Sequence, residues 1–502
     1  MTSRTVFASR FANAAASVIF GDCTFYHVQR RFDPPTLIPY NHSHPKGVTI
    51  LPDRISTVKD MTDGTIWKHL VSFAFPLFIG NIFQQLYNTV DSIVVGNFVG
   101  ADALGAVTST IPIVITLIGL FIGLTMGASV IISQYFGAKD IPSLRKATHT
   151  AVVSAVIMAA VISAIGYFST PGLLRMMNTP ESVFREAVVY LQIFSLGLGG
   201  TMLYNMGSAI LRAVGDSKRP LYFLILASIL NIFLDLLFVV RFESGVAGVA
   251  YATIIAQFVS GAIIFWLLFT SQEVHSLRWR EMRIDIGILR RIIAVGFPAG
   301  LQMAVTSFSN VFVQAYINAY GAASTAGWGI YARVDAFVIL PTQSMAMAVT
   351  TFVGQNAGAR KPDRIRKGLL QGLCISWSIS ACIITCLYIF APYIAGLFNQ
   401  DAAVLTFAVL FIRLNSLFDP VNSTAQIQAG ALRGVGDSRS PMVIMLMSFV
   451  VFRQVYLFII SRLTESVYFI AIGYPLGWIV CATLMTVHIW RSGWDKKIEA
   501  LR

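Results

Sequence analysis

For most of its length the chain alternates long apolar runs with short polar breaks. Residues 111–132, 151–168, 221–240 and 372–390 each run about twenty positions with almost no charge, the length that crosses a hydrocarbon core of about 30 Å. Read between its breaks, the pattern predicts twelve spans. Six lie at 67–97, 103–136, 146–168, 185–211, 218–240 and 246–270, and six more at 289–318, 323–355, 366–390, 402–432, 439–461 and 466–491. The expected fold is an all-α polytopic membrane protein with twelve transmembrane helices.

Composition agrees. The hydrophobic fraction is 56%, the charged fraction 12% and the mean hydropathy +0.69. So few charges cannot cover that much apolar surface in water, so lipid is the solvent. A net charge of +13 would suit nucleic acid if the basic residues clustered, but they sit in the breaks. The breaks after spans 2, 4, 6, 8 and 10, with their flanks, hold 18 Lys or Arg; those after the odd spans hold four, Arg175, Arg185, Arg241 and Arg462. The positive-inside rule then places both termini in the cytoplasm of a multi-pass protein of the plasma (inner) membrane. The expected partners include membrane lipid and exclude nucleic acid.

The chain also repeats itself. Leu211-Arg-Ala-Val-Gly-Asp-Ser-Lys-Arg-Pro220 returns 221 positions on as Leu432-Arg-Gly-Val-Gly-Asp-Ser-Arg-Ser-Pro441. Gln134-Tyr-Phe-Gly-Ala138 returns as Gln355-Asn-Ala-Gly-Ala359, and Gly100-Ala101 as Gly321-Ala322, at the same offset; Phe75-Pro76 returns as Phe297-Pro298, one residue out of phase. An offset held across separate motifs marks a duplicated unit. It implies two six-helix bundles related by a pseudo-two-fold axis along the membrane normal, with a substrate site between them. Within the Gly-Asp-Ser loops, Gly and Asp read as a turn and Pro as the start of the next helix.

This organisation divides the chain into 1–60, a disordered N-terminal extension ahead of a natural start at Met61; 61–275, an N-lobe of spans 1–6; 276–495, a C-lobe of spans 7–12; and 496–502, a cytoplasmic tail. His27, His42 and His44 lack ligand spacing. Cys374, Cys382 and Cys386 share one span without a nearby His or carboxylate, and read as small packing residues. No metal site is expected.

Several motifs, in order, carry a family resemblance. Phe75-Pro76, the run Asn81-Ile-Phe-Gln-Gln-Leu-Tyr-Asn-Thr-Val-Asp-Ser-Ile-Val-Val-Gly96, Gln134 to Lys139, Leu211 to Pro220, Asn231-Ile-Phe-Leu-Asp235, Gly245 to Thr253 and Gln355 to Ala359 resemble MATE (multidrug and toxic compound extrusion) transporters from about Met61 to Arg491. The resemblance implies a secondary antiporter working by rocker-switch alternating access. Such a protein exports cationic, amphipathic drugs or toxic metabolites in exchange for protons or sodium ions. The sequence itself holds no phosphate loop for a nucleotide motor.

Ionisable groups within a span are costly and therefore candidates for function. Asp91 lies deep in span 1, and removal from water favours the protonated carboxyl; it resembles the family's coupling aspartate. Pro76, 15 residues earlier, matches a proline at which the family's helix bends. Asn231 and Asp235, one turn apart in span 5, match polar positions of the same cavity, as do Tyr190 and Thr253. Asn205, Ser208, Asp419, Asn422 and Gln426 are candidates for the substrate cavity. A branch of the family uses acids in helices 7 and 10; here span 7 has none, and Asn422 stands at the span 10 position. These departures favour the proton over sodium. Asp335, Arg413 and Arg453 read equally as structural or functional charges.

Shifting Asp91, Tyr190, Asn231, Asp235 and Thr253 by the repeat offset lands on Phe312, Phe411, Phe452, Tyr456 and Tyr474. The ion switch is therefore expected in the N-lobe, with an aromatic wall in the C-lobe. The alternative reading is a flippase for a lipid-linked saccharide precursor, which needs a basic central cavity. A membrane-embedded enzyme is not expected, since neither H-E-x-x-H nor G-x-S-x-G occurs and the membrane-region histidines are dispersed. The expected protein is a monomer without cofactor, acting on small organic cations.

Overall fold

The computed structural model describes residues 59–177 and 179–491; most of the expected extension and the tail lie outside them. Among the described residues the elements are helices and short loops. The first six spans are α1 (Ile66–Val94, continued by a π-helical segment Val95–Val99), α2 (Ala101–Gly137), α3 (Ile141–Met176), α4 (Glu181–Ala213), α5 (Lys218–Asp235, continued by π-helical Leu236–Arg241) and α6 (Gly245–Thr270). A linker with a single 3-10 turn, Trp279–Glu281, leads to α7 (Ile286–Asn318), α8 (Ala322–Gly358) and α9 (Pro362–Gly396). Span 10 is the pair α10 (Ala402–Ser416) and α11 (Asp419–Gly434). Span 11 is α12 (Arg439–Leu446), a π-helical segment Met447–Phe452 and α13 (Arg453–Leu463), and span 12 is α14 (Val467–Ala471) with α15 (Gly473–Arg491). Eleven of these spans are each long and apolar enough to cross a membrane, and the bent pair α10–α11 makes the twelfth.

Local chemistry sets the helix ends. Asp140 caps α3 by accepting from the Ser143 amide (3.1 Å), Asp285 caps α7 through Ile288 (3.0 Å), and Asp401 caps α10 through Ala403 (2.8 Å). The repeated loops are turns, as read. Gly215 and Gly436 take left-handed φ of 89° and 92°, and Asp216 and Asp437 accept from the amides that open the next helix. Two spans depart from expectation. Span 10, expected to be continuous over 402–432, breaks by 48°, because Pro420 lacks an amide and its ring clashes with the carbonyl one turn back. Span 3 runs on to Met176 despite Pro171, where the Thr170 hydroxyl bonds the Gly166 carbonyl (2.6 Å).

The two lobes lend each other the first part of a helix. Leu70, Phe73, Ala74 and Leu77, from the first part of α1, belong to the core formed by α8, α9, α11 and α15. Ile288, Ile292 and Val295, from the first part of α7, belong to the core of α2, α3, α4 and α6. Past Pro76, α1 returns to its own lobe, where Gly80 lies against Leu221 and Leu224 of α5.

At the end carrying the basic even-numbered loops, hereafter the basic end, the lobes are sealed by reciprocal contacts. The Gln134 side-chain amide donates to the Gly434 carbonyl (3.0 Å), and its repeat equivalent Gln355 donates to the Ala213 carbonyl (3.0 Å). Donors and acceptors are both 221 apart, so the pseudo-two-fold axis runs between them. Gly137 meets the Gln355 carbonyl and Gly358 meets that of Gln134, with no room for a side chain. A Cβ on Gly123 would lie 2.7 Å from the Gly296 carbonyl oxygen; small residues allow this backbone approach where lipid offers no hydrophobic drive. The segment before α1 reinforces the seal. The Met61 amide donates to Gln355 (2.9 Å), Asn356 and Arg364 donate to the Met61 carbonyl, and Lys361 pairs with Asp63 (2.7 Å). The Lys361 ammonium holds the exposed Asp63 carboxyl below its ordinary range. Toward the opposite end, Gln84, Asn88, Thr89 and Ser92 of α1 are exposed. Exposed polar groups on a span border water rather than lipid.

Candidate functional site

Past Pro76, α1 carries Tyr87 and Asp91 on one face, one turn apart. α5 carries Asn231 and Asp235 likewise, α4 brings Tyr190, and α6 brings Thr253 and Gln257. Asp235 and Asn231 are buried, while Asp91, Tyr190 and Thr253 are half-buried. The Asp91 and Asp235 carboxyl groups face each other within hydrogen-bonding reach. Tyr190 lies beside both of them and beside Tyr87, and Tyr87 reaches Gln257. Asn231 Nδ2 lies 3.5 Å from the Thr253 hydroxyl.

The cluster has too many acceptors. Asp91 Oδ1, both Asp235 oxygens, Asn231 Oδ1 and Gln257 Oε1 are buried without a hydrogen-bond donor. Two facing carboxylates repel unless something positive lies between them, and the smallest such thing is a proton. Val94, Val95, Val239, Val246 and Val249, with Val90 and Val99, form an apolar cluster next to the pair. Both carboxylates sit where a regular α-helix gives way to a π-helical segment, a distortion frequent at functional positions.

Five residues named from sequence, Asp91, Tyr190, Asn231, Asp235 and Thr253, therefore lie together. Sequence reasoning missed Tyr87 and Gln257. The available signal was spacing: each lies one turn from a named residue on the same helix. Pro76 is buried four turns earlier, outside the cluster. Asn205 bonds its own helix at the Thr201 carbonyl (2.8 Å), and Ser208 lies beside Tyr204.

Asp419, Asn422 and Gln426 are in the C-lobe, on α11. The C-lobe is less purely aromatic than the repeat arithmetic implied. Phe411 is buried, the Tyr474 ring lies tilted beside Trp328 (centres 5.3 Å apart), and Phe312 is exposed. Yet the same region holds Asp335, Asp419 and Arg453. Arg453 donates to Ser309 (3.1 Å) and Asn310 (2.7 Å) and lies 4.6 Å from the Tyr474 ring centre. Cys374, Cys382 and Cys386, expected as packing residues, are exposed on α9. Among the described residues no three His, Cys, Asp or Glu side chains converge as metal ligands.

A twelve-span bundle with two-fold repeated halves, sealed at one end and carrying an acid pair inside one half, defines a membrane transporter. The MatE family model matches residues 76–237 and again residues 298–459, and the chain belongs to that family. Among its relatives, Probable multidrug resistance protein YpnP of Bacillus subtilis is 31% identical over 78% of this chain and 88% of its own. Probable multidrug resistance protein YoeA, from the same organism, is 29% identical over 86% and 95%. A FAD transporter of Shewanella oneidensis is 24% identical over 69% and 77%. Of solved structures, a MOP superfamily transporter from Pyrococcus furiosus superposes with a TM-score of 0.83 at 24% identity, covering 89% of this chain and 99% of that one. A MATE protein in its bent conformation gives 0.82 at 24%, over 89% and 99%. These likenesses establish the fold. The family's members are transporters rather than enzymes.

Proposed function

We propose that the protein is a secondary antiporter that exports cationic, amphipathic small molecules, drugs among them, in exchange for protons. The observation that carries this reading is the Asp91–Asp235 pair, two facing carboxylates surrounded by acceptors and short of donors. Its relatives named for multidrug resistance support the substrate class.

In this mechanism the basic end faces the cytoplasm and the opposite end faces outward. A cationic substrate and a proton compete for the negative charge of the acid pair. Proton entry neutralises it, and the substrate loses the charge that held it. The first part of α1 is anchored in the C-lobe and its second part in the N-lobe, so a change at Asp91 reaches the other lobe through Pro76. The lobes then rock against each other about the middle of the bundle, the reciprocal glutamine bonds at the basic end part, and the site faces the cytoplasm. A sodium ion in place of the proton would serve the same electrostatic role.

A flippase for a lipid-linked precursor would need basic groups free in a central cavity. The buried arginines here are turned into the C-lobe, Arg433 onto Gln302 (2.8 Å) and Arg453 onto Ser309 and Asn310. The test is transport in proteoliposomes, with proton and sodium gradients imposed separately and a panel of organic cations. The expected result is efflux driven by the proton gradient and lost in Asp91→Asn. Wild-type efflux in that variant would overturn the reading.

A further inference from the structure

At the basic end, where the two lobes meet, lies a cavity of about 420 Å³, a volume in the range of small-molecule sites. Both halves build its wall. The end of α2 brings Lys139, the end of α8 brings Arg360 and Lys361, and the segment before α1 brings Thr62 and Asp63. Lys139 and Arg360 are separated by the repeat offset, so they are equivalents on opposite sides of the pseudo-two-fold axis.

Both residues hold left-handed backbone, with φ of 57° and 54°. A residue that closes a helix in this conformation is ordinarily glycine, which adopts it without strain. Here both copies of the repeat place a long cation there instead. Their amides are spent on the carbonyls of Phe136 and Ala357, and their side chains are exposed. Lys361 is engaged by the Asp63 carboxylate (2.7 Å) and the Thr62 carbonyl (2.9 Å), which leaves Lys139 and Arg360 without an ion-pair partner among the described residues. Sealing the basic end therefore brings like charges from two lobes to one cavity, and that opposes the seal. The carbonyl ends of α2 and α8 offset about half a charge each, against two full cations. An anion between the lobes would neutralise the rest. An ammonium beside a guanidinium is the pair of donors that phosphate oxygens take.

We propose that this cavity binds a phosphate-bearing ligand of about diphosphate size, held between Lys139 and Arg360, which clamps the lobes together at the basic end. The same chemistry is offered by a soluble phosphorylated small molecule and by a lipid headgroup. Because each lobe supplies one of the two cations, the complete site exists only in the sealed state, and occupancy adds to the stability of the seal. The site is separate from the Asp91–Asp235 pair and does not depend on the antiport reading.

The experiment is equilibrium binding of ³²P-labelled pyrophosphate to the purified full-length protein in phosphatidylcholine nanodiscs. Wild type should bind saturably. Lys139→Gly and Arg360→Gly suit the left-handed backbone, so they should fold, and each should weaken binding by about 10- to 100-fold. Lys139→Arg and Arg360→Lys should retain it. Lys367→Gln, exposed on α9 outside the cavity, should bind as wild type does. At about ten times its dissociation constant, pyrophosphate should slow hydrogen exchange of residues 59–64 about tenfold in wild type, and leave it unchanged in the double glycine variant. Discs in which phosphatidic acid replaces phosphatidylserine at equal surface charge separate the two sources: pyrophosphate excluded there assigns the site to a headgroup, and pyrophosphate still bound assigns it to a soluble phosphate. The proposal is overturned by absence of saturable binding in wild type, by undiminished binding in the glycine variants, by equal loss in Lys367→Gln, or by exchange in wild type that pyrophosphate does not slow.

Discussion

Removing the Gln355 side chain should loosen the basic end more than removing that of its repeat equivalent, Gln134. Gln134→Ala deletes one buried bond, to the Gly434 carbonyl, and strands that carbonyl at the end of α11. Leaving a buried acceptor unmet costs about 1–3 kcal/mol. Because the bond joins the two lobes, the cost falls on the sealed state, and its population relative to the open one should drop by about 5- to 150-fold. Gln355→Ala deletes two such bonds, to the Ala213 carbonyl and from the Met61 amide, so its cost is about twice as large. Hydrogen–deuterium exchange of the full chain in lipid nanodiscs reads this directly. Amides of residues 59–64 and of the α2 and α8 ends should exchange faster in Gln134→Ala and faster again in Gln355→Ala, with the far ends of the helices unchanged. Equal exchange in the two variants, or none beyond wild type, would refute the reasoning that these bonds hold the seal.

Three other outcomes follow from the same geometry. Gly358→Ala places a methyl against the Gln134 carbonyl, so it should destabilise the sealed state by about 1–3 kcal/mol and speed exchange at the basic end with both glutamines intact; unchanged exchange would mean the backbones do not touch. Asp235→Asn should fold and still let substrate run down its own gradient, while proton-driven transport is lost; retained proton coupling in proteoliposomes would remove Asp235 from the switch. His275, in the linker between the lobes, is fully buried, and burial, then the Arg219 charge, pushes its ring down to about 4. The unfolded chain takes up this proton near 6.5 and the folded chain resists it, so stability falls as pH drops from about 6.5 toward 4, by on the order of 3 kcal/mol. Thermal unfolding across that range should show a shallower decline in His275→Leu, and parallel curves would contradict the assignment.

The spans were legible because lipid imposes a length and tolerates few charges, so each polar break stands out. Asp91 and Asp235 were legible one by one for the same reason, since a carboxylate within a span is costly; that they lie together was what the family resemblance implied. Tyr87 and Gln257 were not, since a tyrosine or an amide within a span is chemically ordinary until a neighbour gives it a task. The break at Pro420 was missed because apolar residues run through it on both sides. The C-lobe acids were seen but not joined. Repeat arithmetic compares equivalents, and Asp335 and Asp419 answer to Val114 and Leu198, so acids placed outside the symmetry do not appear in it. The pairing of Gln134 with Gln355 was visible only as two copies of a motif. That the copies interlock is a fact of three dimensions.

The exchanged first helices bear on how such a chain came to exist. A six-span half on its own would expose the groove in which the first part of the other half's leading helix lies, and the first part of its own leading helix would lack its packing partner. Two copies meeting in a membrane resolve both defects at once, each filling the gap in the other, which is the arrangement of a swapped dimer. Joining the copies through residues 271–285 makes the exchange permanent and frees the two halves to diverge. One half could then carry acids at Asp91 and Asp235 while the other holds Phe312 and Tyr456 at the equivalent positions, because neither half has to fold or function alone.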